Sequence, residues 1–224
     1  MNNHSVKKLC VLAMLGALAY IVMYVGRIPI VLFLKYDPKD IIITIGGFLY
    51  GPMAAFAITV IVSLAEMVTV STTGPIGFLM NVIAGCSFAC TAAFIYKKNR
   101  SLKGAVIGLA AAWIFTTVVM VLWNYLVTPL YMSADGVSVA VVREQVAGLM
   151  LPAFIPFNLL KGGLNAALTM LLYKPVRKAL QKAGLMPAPE AGEGKGKVNF
   201  GVIGASVFVV ITCVLWVLVW QGKL

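Results

Sequence analysis

The sequence predicts an all-α fold, a polytopic membrane helical bundle, on three observations. Of 224 residues, 61% are hydrophobic and only 11% charged, where a soluble domain carries about 25% charged residues. The mean hydropathy is +0.97, and surface-to-volume scaling cannot hide that much apolar surface in one small core. Apolar runs recur along the chain at lengths suited to a hydrocarbon layer of about 30 Å, separated by short polar stretches.

Seven helical segments follow in order. Leu9 to Val25 is the first. It is too long for a signal peptide, is followed by further spans, lacks a convincing small-x-small cleavage site, and reads as a retained helix. A polar island, Arg27 to Asp40, separates it from Ile41 to Leu49, which is short for a crossing and can serve only if its ends meet protein or water. Gly51-Pro52 is a turn signal, and Pro52 to Val70 is full length. After the loop Ser71 to Pro75 come Ile76 to Tyr96, closed by Lys97, Lys98 and Arg100, and then Gly104 to Val127. The polar stretch Thr128 to Gln145 reads as a loop. Val146 to Tyr173 is the sixth segment, with Pro152 and Pro156 near its start. A basic stretch, Lys174 to Lys182, leads into a Pro- and Gly-rich segment read as a flexible linker, and Phe200 to Trp220 is the seventh. The division expected is therefore a membrane domain over 1–182, a linker over 183–198 and an extra helix over 199–224.

Charge orients the bundle. With the N-terminus inside, the inner side holds Lys7, Lys8, Lys97, Lys98, Arg100, Lys103, Lys174, Arg177, Lys178, Lys182, Lys195 and Lys197, twelve in all. The outer side holds five: Arg27, Lys35, Lys39, Arg143 and Lys223. That is the positive-inside bias, and it places the C-terminus outside. It also accounts for the net charge of +11 without nucleic acid, which is not expected as a partner.

Polar groups inside apolar runs carry the functional signal, because hydrocarbon offers them no partner. Lys161 lies well inside the sixth segment, and a Lys at a helix centre costs about 2.5–3.5 kcal/mol on insertion scales. Asn158, Lys161 and Asn165, at i, i+3 and i+7, share one helical face. Glu66, Asn81 and Asn124 add polar groups on the third, fourth and fifth segments. Their convergence on an internal polar pocket competes with the plainer reading that they hydrogen-bond one another and brace the helices. A buried ammonium needs an anion, and Glu66 is a candidate counter-ion. The stretch Thr72 to Gly77 offers backbone amides at a helix start. Ala13 and Ala17, four apart, form a small-residue face. Cys86 and Cys90 share a face but no His or second Cys pair completes a metal set, so the four cysteines read as packing residues. There is no phosphate-binding Gly-x-x-x-x-Gly-Lys motif, no metalloprotease or serine-hydrolase signature, and the single His4 lies in the N-terminal tail. ATP hydrolysis and other catalysis by this chain are not expected.

Five stretches carry a family resemblance: Lys35-Tyr-Asp-Pro-Lys-Asp40, Ile45 to Pro52, Ser71-Thr-Thr-Gly-Pro-Ile-Gly-Phe-Leu-Met-Asn81, Trp123-Asn-Tyr125, and Pro156-Phe-Asn-Leu-Leu-Lys-Gly-Gly-Leu-Asn165. In this order they resemble the riboflavin-specific S component, the substrate-binding subunit, of energy-coupling factor (ECF) transporters. The resemblance implies a six-helix core in a bacterial plasma membrane, with Phe200 to Trp220 as an additional C-terminal helix. It implies capture of riboflavin from outside and its release inside. A membrane coupling subunit and two cytoplasmic ATPase subunits would drive that step. It further implies ligand contacts from Asp40, Thr44, Thr73, Gly74, Gly77, Asn81, Asn124, Asn158 and Lys161. Ala13 and Ala17 would meet the coupling subunit. No cofactor or metal is expected; riboflavin is the transported ligand. Asn side chains, which donate and accept, suit its hydroxyls and imide, and Phe78, Trp123, Tyr125 or Tyr131 could stack on its ring. The alternatives are an S component for another vitamin and a proton-coupled carrier using Glu66.

Overall fold

Gly51, at φ 93°, takes a backbone conformation that only glycine adopts without strain, and Pro52 starts a helix with no N–H left to satisfy. That pair folds the chain back sharply after its second helix. A computed structural model describes residues 3–31, 34–71, 73–133, 138–185 and 200–223. The elements are α1 (Asn3–Gly26), β1 (Ile28–Val31), β2 (Leu34–Tyr36), α2 (Lys39–Tyr50), α3 (Pro52–Thr69), α4 (Gly74–Gly85), α5 (Thr91–Lys98), α6 (Leu102–Leu126), α7 (Thr128–Met132), α8 (Val139–Leu149), α9 (Ile155–Lys182) and α10 (Phe200–Trp220). Single π-helical turns, Cys86–Cys90 and Met150–Phe154, join α4 to α5 and α8 to α9.

Among the described residues, six helical stretches are long and apolar enough to cross a membrane, and α2 is not among them. Its 12 residues reach about 18 Å at 1.5 Å each, well short of the hydrocarbon thickness. The bundle resolves this by enclosing it, for every residue from Lys39 to Phe48 is buried. Gly46 and Gly47 allow the enclosure. A Cβ on Gly47 would stand 2.8 Å from the Cβ of Ala93 and 3.0 Å from that of Ala55. Around α2, Val11, Leu15 and Ala19 of α1 pack with Ile42 and Ile43 and with Ala55, Ile58 and Val62 of α3. A second core joins Phe48 and Phe88 to Tyr96, Ala105, Leu109 and Ala112. The outward faces carry exposed apolar side chains such as Ile61, Ile114, Leu151 and Phe208, as lipid contact requires.

Three local features depart from the sequence reading. The polar island Arg27 to Asp40 holds a short antiparallel hairpin, with Ile28 opposite Tyr36 and Pro29 opposite Lys35. The stretch read as a loop from Thr128 to Gln145 is largely helical, because α7 begins at once and α8 starts at Val139, where Ser138 Oγ accepts from the Val141 amide. Finally, α9 runs through Pro175 to Lys182 rather than stopping at Tyr173. The π turn before α9 has a simple cause. Pro156 has no N–H for the Pro152 carbonyl four residues back, and the Ile155 amide bonds instead to Met150 O, five residues back. Residues 186–199, most of the expected linker, lie outside the described ones, as do Thr72 and the side chains of His4 and Tyr131.

Lys7 Nζ at the start of α1 donates to Gly184 O, just past α9, so these ends share one face of the bundle. Gln221, at the end of α10, reaches the hairpin on the opposite face. The cavity described next opens at the hairpin end.

Candidate functional site

The hairpin end holds a cavity of about 430 Å³, within the roughly 300–1,000 Å³ of small-molecule sites. Its polar wall includes Asp40 of α2, Thr73 at the start of α4, Asn81 of α4, Asn124 of α6, and Asn158, Lys161 and Asn165 of α9. Its apolar wall includes Met80, Phe88, Met120 and Phe157. The i, i+3, i+7 face of α9 is therefore the face that the cavity meets.

Lys161 sits with Nζ 3.3 Å from Asp40 Oδ2. Its counter-ion is thus Asp40, not Glu66. A second donor supports the same carboxylate: Asn165 Nδ2 lies 3.4 Å from Asp40 Oδ2, while Asn165 Oδ1 accepts from the Tyr36 hydroxyl at 3.0 Å. Burial raises the pKa of that tyrosine, with the negative charge of Asp40 acting the same way, so its hydroxyl stays protonated as a donor.

Glu66 belongs to a separate ion cluster that pins the hairpin base. It accepts from Arg27 and from Lys39, and Arg27 Nε also donates to Asp37 Oδ1 at 2.7 Å. Burial alone would lower the pKa of Arg27. The ion pairs with Asp37 and Glu66 outweigh it and hold the group above its ordinary value. Across both clusters three cations, Arg27, Lys39 and Lys161, balance three carboxylates, Asp37, Asp40 and Glu66. A paired, charge-balanced set of buried ions meets the condition under which such ions are tolerated. It also leaves no surplus carboxylate in the cluster for a proton carrier, and Glu66 is held by two cations.

The asparagines keep bonding capacity in reserve. Asn124 Nδ2 donates to Met120 O at 2.7 Å and its Oδ1 accepts from Thr128 Oγ1 at 3.1 Å. Asn158 Nδ2 donates to Phe154 O at 2.8 Å, which leaves its Oδ1 and second N–H. Asn81 makes no side-chain hydrogen bond among the described residues. Helices braced by these amides would show them bonded across helices; the bonds found for Asn124 and Asn158 stay within their own helices or their continuations.

Other expected positions fall elsewhere. Thr44 is fully buried and its Oγ1 donates to Asp40 O at 2.6 Å, so it supports the turn that presents Asp40 and does not line the cavity. Gly74, with φ 54°, and the buried Gly77 are also outside the lining. The helix-start amides are partly used locally: Thr73 N donates to Ser71 Oγ and Gly77 N to Thr73 O. A Cβ on Gly77 would strike Thr73 Oγ1, so the glycine lets that turn close. Among the candidate stacking aromatics, Phe78, Trp123 and Tyr125 are outside the lining, and Phe88 and Phe157 are inside it. The sequence reading missed both, since neither carries a polar mark; Phe88 sits within the π turn Cys86–Cys90, and Phe157 lies in the first turn of α9, just after the other. Ala13 and Ala17 lie exposed on α1, away from the cavity. Among the described residues no cluster of metal-ligating side chains occurs.

A family model described as "ECF transporter, substrate-specific component" matches residues 7–173. The chain belongs to that family of membrane transporter subunits. Its relatives narrow the comparison. It is 30% identical over 186 residues to a protein of Staphylococcus aureus (strain TCH60) named riboflavin transporter RibU, covering 81% of this chain and 96% of that one. It is equally 30% identical, over 167 residues, to riboflavin transporter FmnP of Bacillus subtilis (strain 168), covering 70% of this chain and 85% of the relative. A solved structure titled as the S component of a bacterial ECF transporter superposes with TM-score 0.63 at 31% identity, covering 79% of this chain and 99% of that chain. The expected bundle with an additional C-terminal helix fits these findings, since the family match ends at residue 173, before α10.

Proposed function

We propose that this chain is the riboflavin-capturing subunit of an ECF-type importer. The observation that carries the reading is the cavity. The Asn81 amide, the free part of the Asn158 amide and the ammonium of Lys161 stand around one space with Phe88, Phe157 and three methionines. Riboflavin has the matching parts, a flat ring system for the apolar wall and hydroxyl and carbonyl oxygens for the donors. The names of the relatives support the choice of vitamin. Ligand carbonyl oxygens would also offset the cost of keeping Lys161 away from water.

In this reading Asp40 orients Lys161, while Asn81, Asn124, Asn158 and Lys161 contact the ligand and Thr73 contributes at the rim. The hairpin end faces the cell exterior, and the basic ends near Lys7, Lys97 and Lys178 face the cytoplasm of a bacterium. Ala13 and Ala17 meet a membrane coupling subunit, and two ATPase subunits supply the energy that this chain does not. Residues 1–182 form the binding domain, and the segment after it links to α10.

The test is a spectrum. Protein purified in detergent from riboflavin-fed cells should be yellow, with the flavin absorption band and quenched flavin fluorescence. A colourless protein that also leaves added riboflavin fully fluorescent refutes the assignment of ligand.

A further inference from the structure

The match to the family stops at residue 173, yet α10 beyond it packs behind Phe157 and Leu34, which line the cavity. It packs mainly along α9. One apolar cluster unites Cys213 of α10 with Leu160 and Phe157 of α9 and with Ile30 and Tyr36 of the hairpin, and Trp220 packs against it. Just past the helix end, Gln221 Nε2 donates to Pro29 O at 3.0 Å. Pro29 is the register partner of Lys35, and Leu34 and Lys35 line the cavity. The strands have only four and three residues, with a register shift between Pro29 and Val31. A two-stranded hairpin of that size is marginal by itself and depends on what it packs against.

We infer that α10 positions the hairpin over the ligand site, with Gln221 as the positioning residue. The base of the hairpin is already fixed by Arg27, Asp37 and Glu66, and Tyr36 is tied to Asn165. What α10 adds is restraint on β1 beyond its start next to Arg27, at Pro29 and Ile30. The added helix thereby slows the opening through which ligand leaves. The part about ligand release rests on the proposed flavin function; the part about the hairpin does not.

Full-length protein and three variants, Gln221→Ala, Gln221→Glu and Gln221→Lys, test this by two readouts. The first is amide hydrogen exchange at Ile28, Ile30 and Leu34 to Tyr36 in ligand-free protein. The second is the rate of flavin release, followed by the return of fluorescence on dilution. Gln221→Ala and Gln221→Glu, which lose the donor, should speed both by about two- to tenfold, as expected for one neutral hydrogen bond. Gln221→Lys keeps an N–H at similar reach and should restore both. Trp220→Ala should act in the same direction through the apolar contact. Unchanged exchange in Gln221→Ala overturns the tether, and faster exchange with unchanged release overturns the positioning role. If the wild-type chain binds no flavin, the function fails separately, and the exchange comparison still decides whether α10 restrains the hairpin.

Discussion

Replacing Lys161 by Met separates a binding role from a bracing role. The ammonium lies 3.3 Å from Asp40 Oδ2, and its side chain retains 16% exposure, toward the cavity it lines. Removing one partner of a buried ion pair costs about 3–5 kcal/mol when the other is left alone. Here Asn165 still donates to Asp40, so the loss of stability should be smaller, about 2–3 kcal/mol. For binding, a charged hydrogen bond to ligand is worth about 1.5–3 kcal/mol, or roughly ten- to 150-fold in Kd. The double variant Lys161→Met with Asp40→Asn removes both charges together. It should recover most of the stability, because no charge is left unpaired, and recover none of the binding. The assays are thermal unfolding in detergent and fluorescence-quench titration with riboflavin. If the double variant regains wild-type affinity, or Lys161→Met binds normally, the ammonium only braces helices and the reasoning fails.

Further expectations concern the remaining parts of the wall. Glu66→Gln leaves Arg27 and Lys39 short of a carboxylate and should lower the unfolding temperature while flavin still binds. Proteoliposomes holding the chain alone should show no proton-driven flavin uptake, and such uptake would revive the carrier reading of Glu66. Gly162→Ala drives a Cβ into the Trp113 ring at the α6–α9 contact and should cost about 1–3 kcal/mol, read as a lowered unfolding temperature. Ala13→Phe or Ala17→Phe, on the exposed face of α1, should leave flavin affinity unchanged and abolish uptake in cells that supply the partner subunits. Normal uptake by either variant removes that face as the docking surface.

The membrane class and most helix positions were legible because apolar runs of crossing length leave few alternatives. The short α2 was legible as an anomaly, though its resolution was not, since enclosure depends on Gly46 and Gly47 meeting Ala93, Ala55 and Ile58 far along the chain. The asparagines and Lys161 could be singled out because lipid penalises them wherever they sit. Their pairing could not, because a helical face says nothing about which carboxylate stands opposite. Thus Asp40 rather than Glu66 pairs with Lys161, and Glu66 turns to Arg27 and Lys39. Thr44 was attributed to the ligand by resemblance, yet its hydroxyl is satisfied inside α2. Phe88 and Phe157 were invisible for the opposite reason: an aromatic residue in a greasy helix carries no mark until the cavity gives it one.

The most direct measurement is a quench titration of flavin-stripped, full-length protein with riboflavin, scored for stoichiometry. One ligand per chain, with affinity lost in Lys161→Met, is the result required of a single cavity walled by that ammonium. No saturable quenching, or equal affinity in the variant, contradicts it.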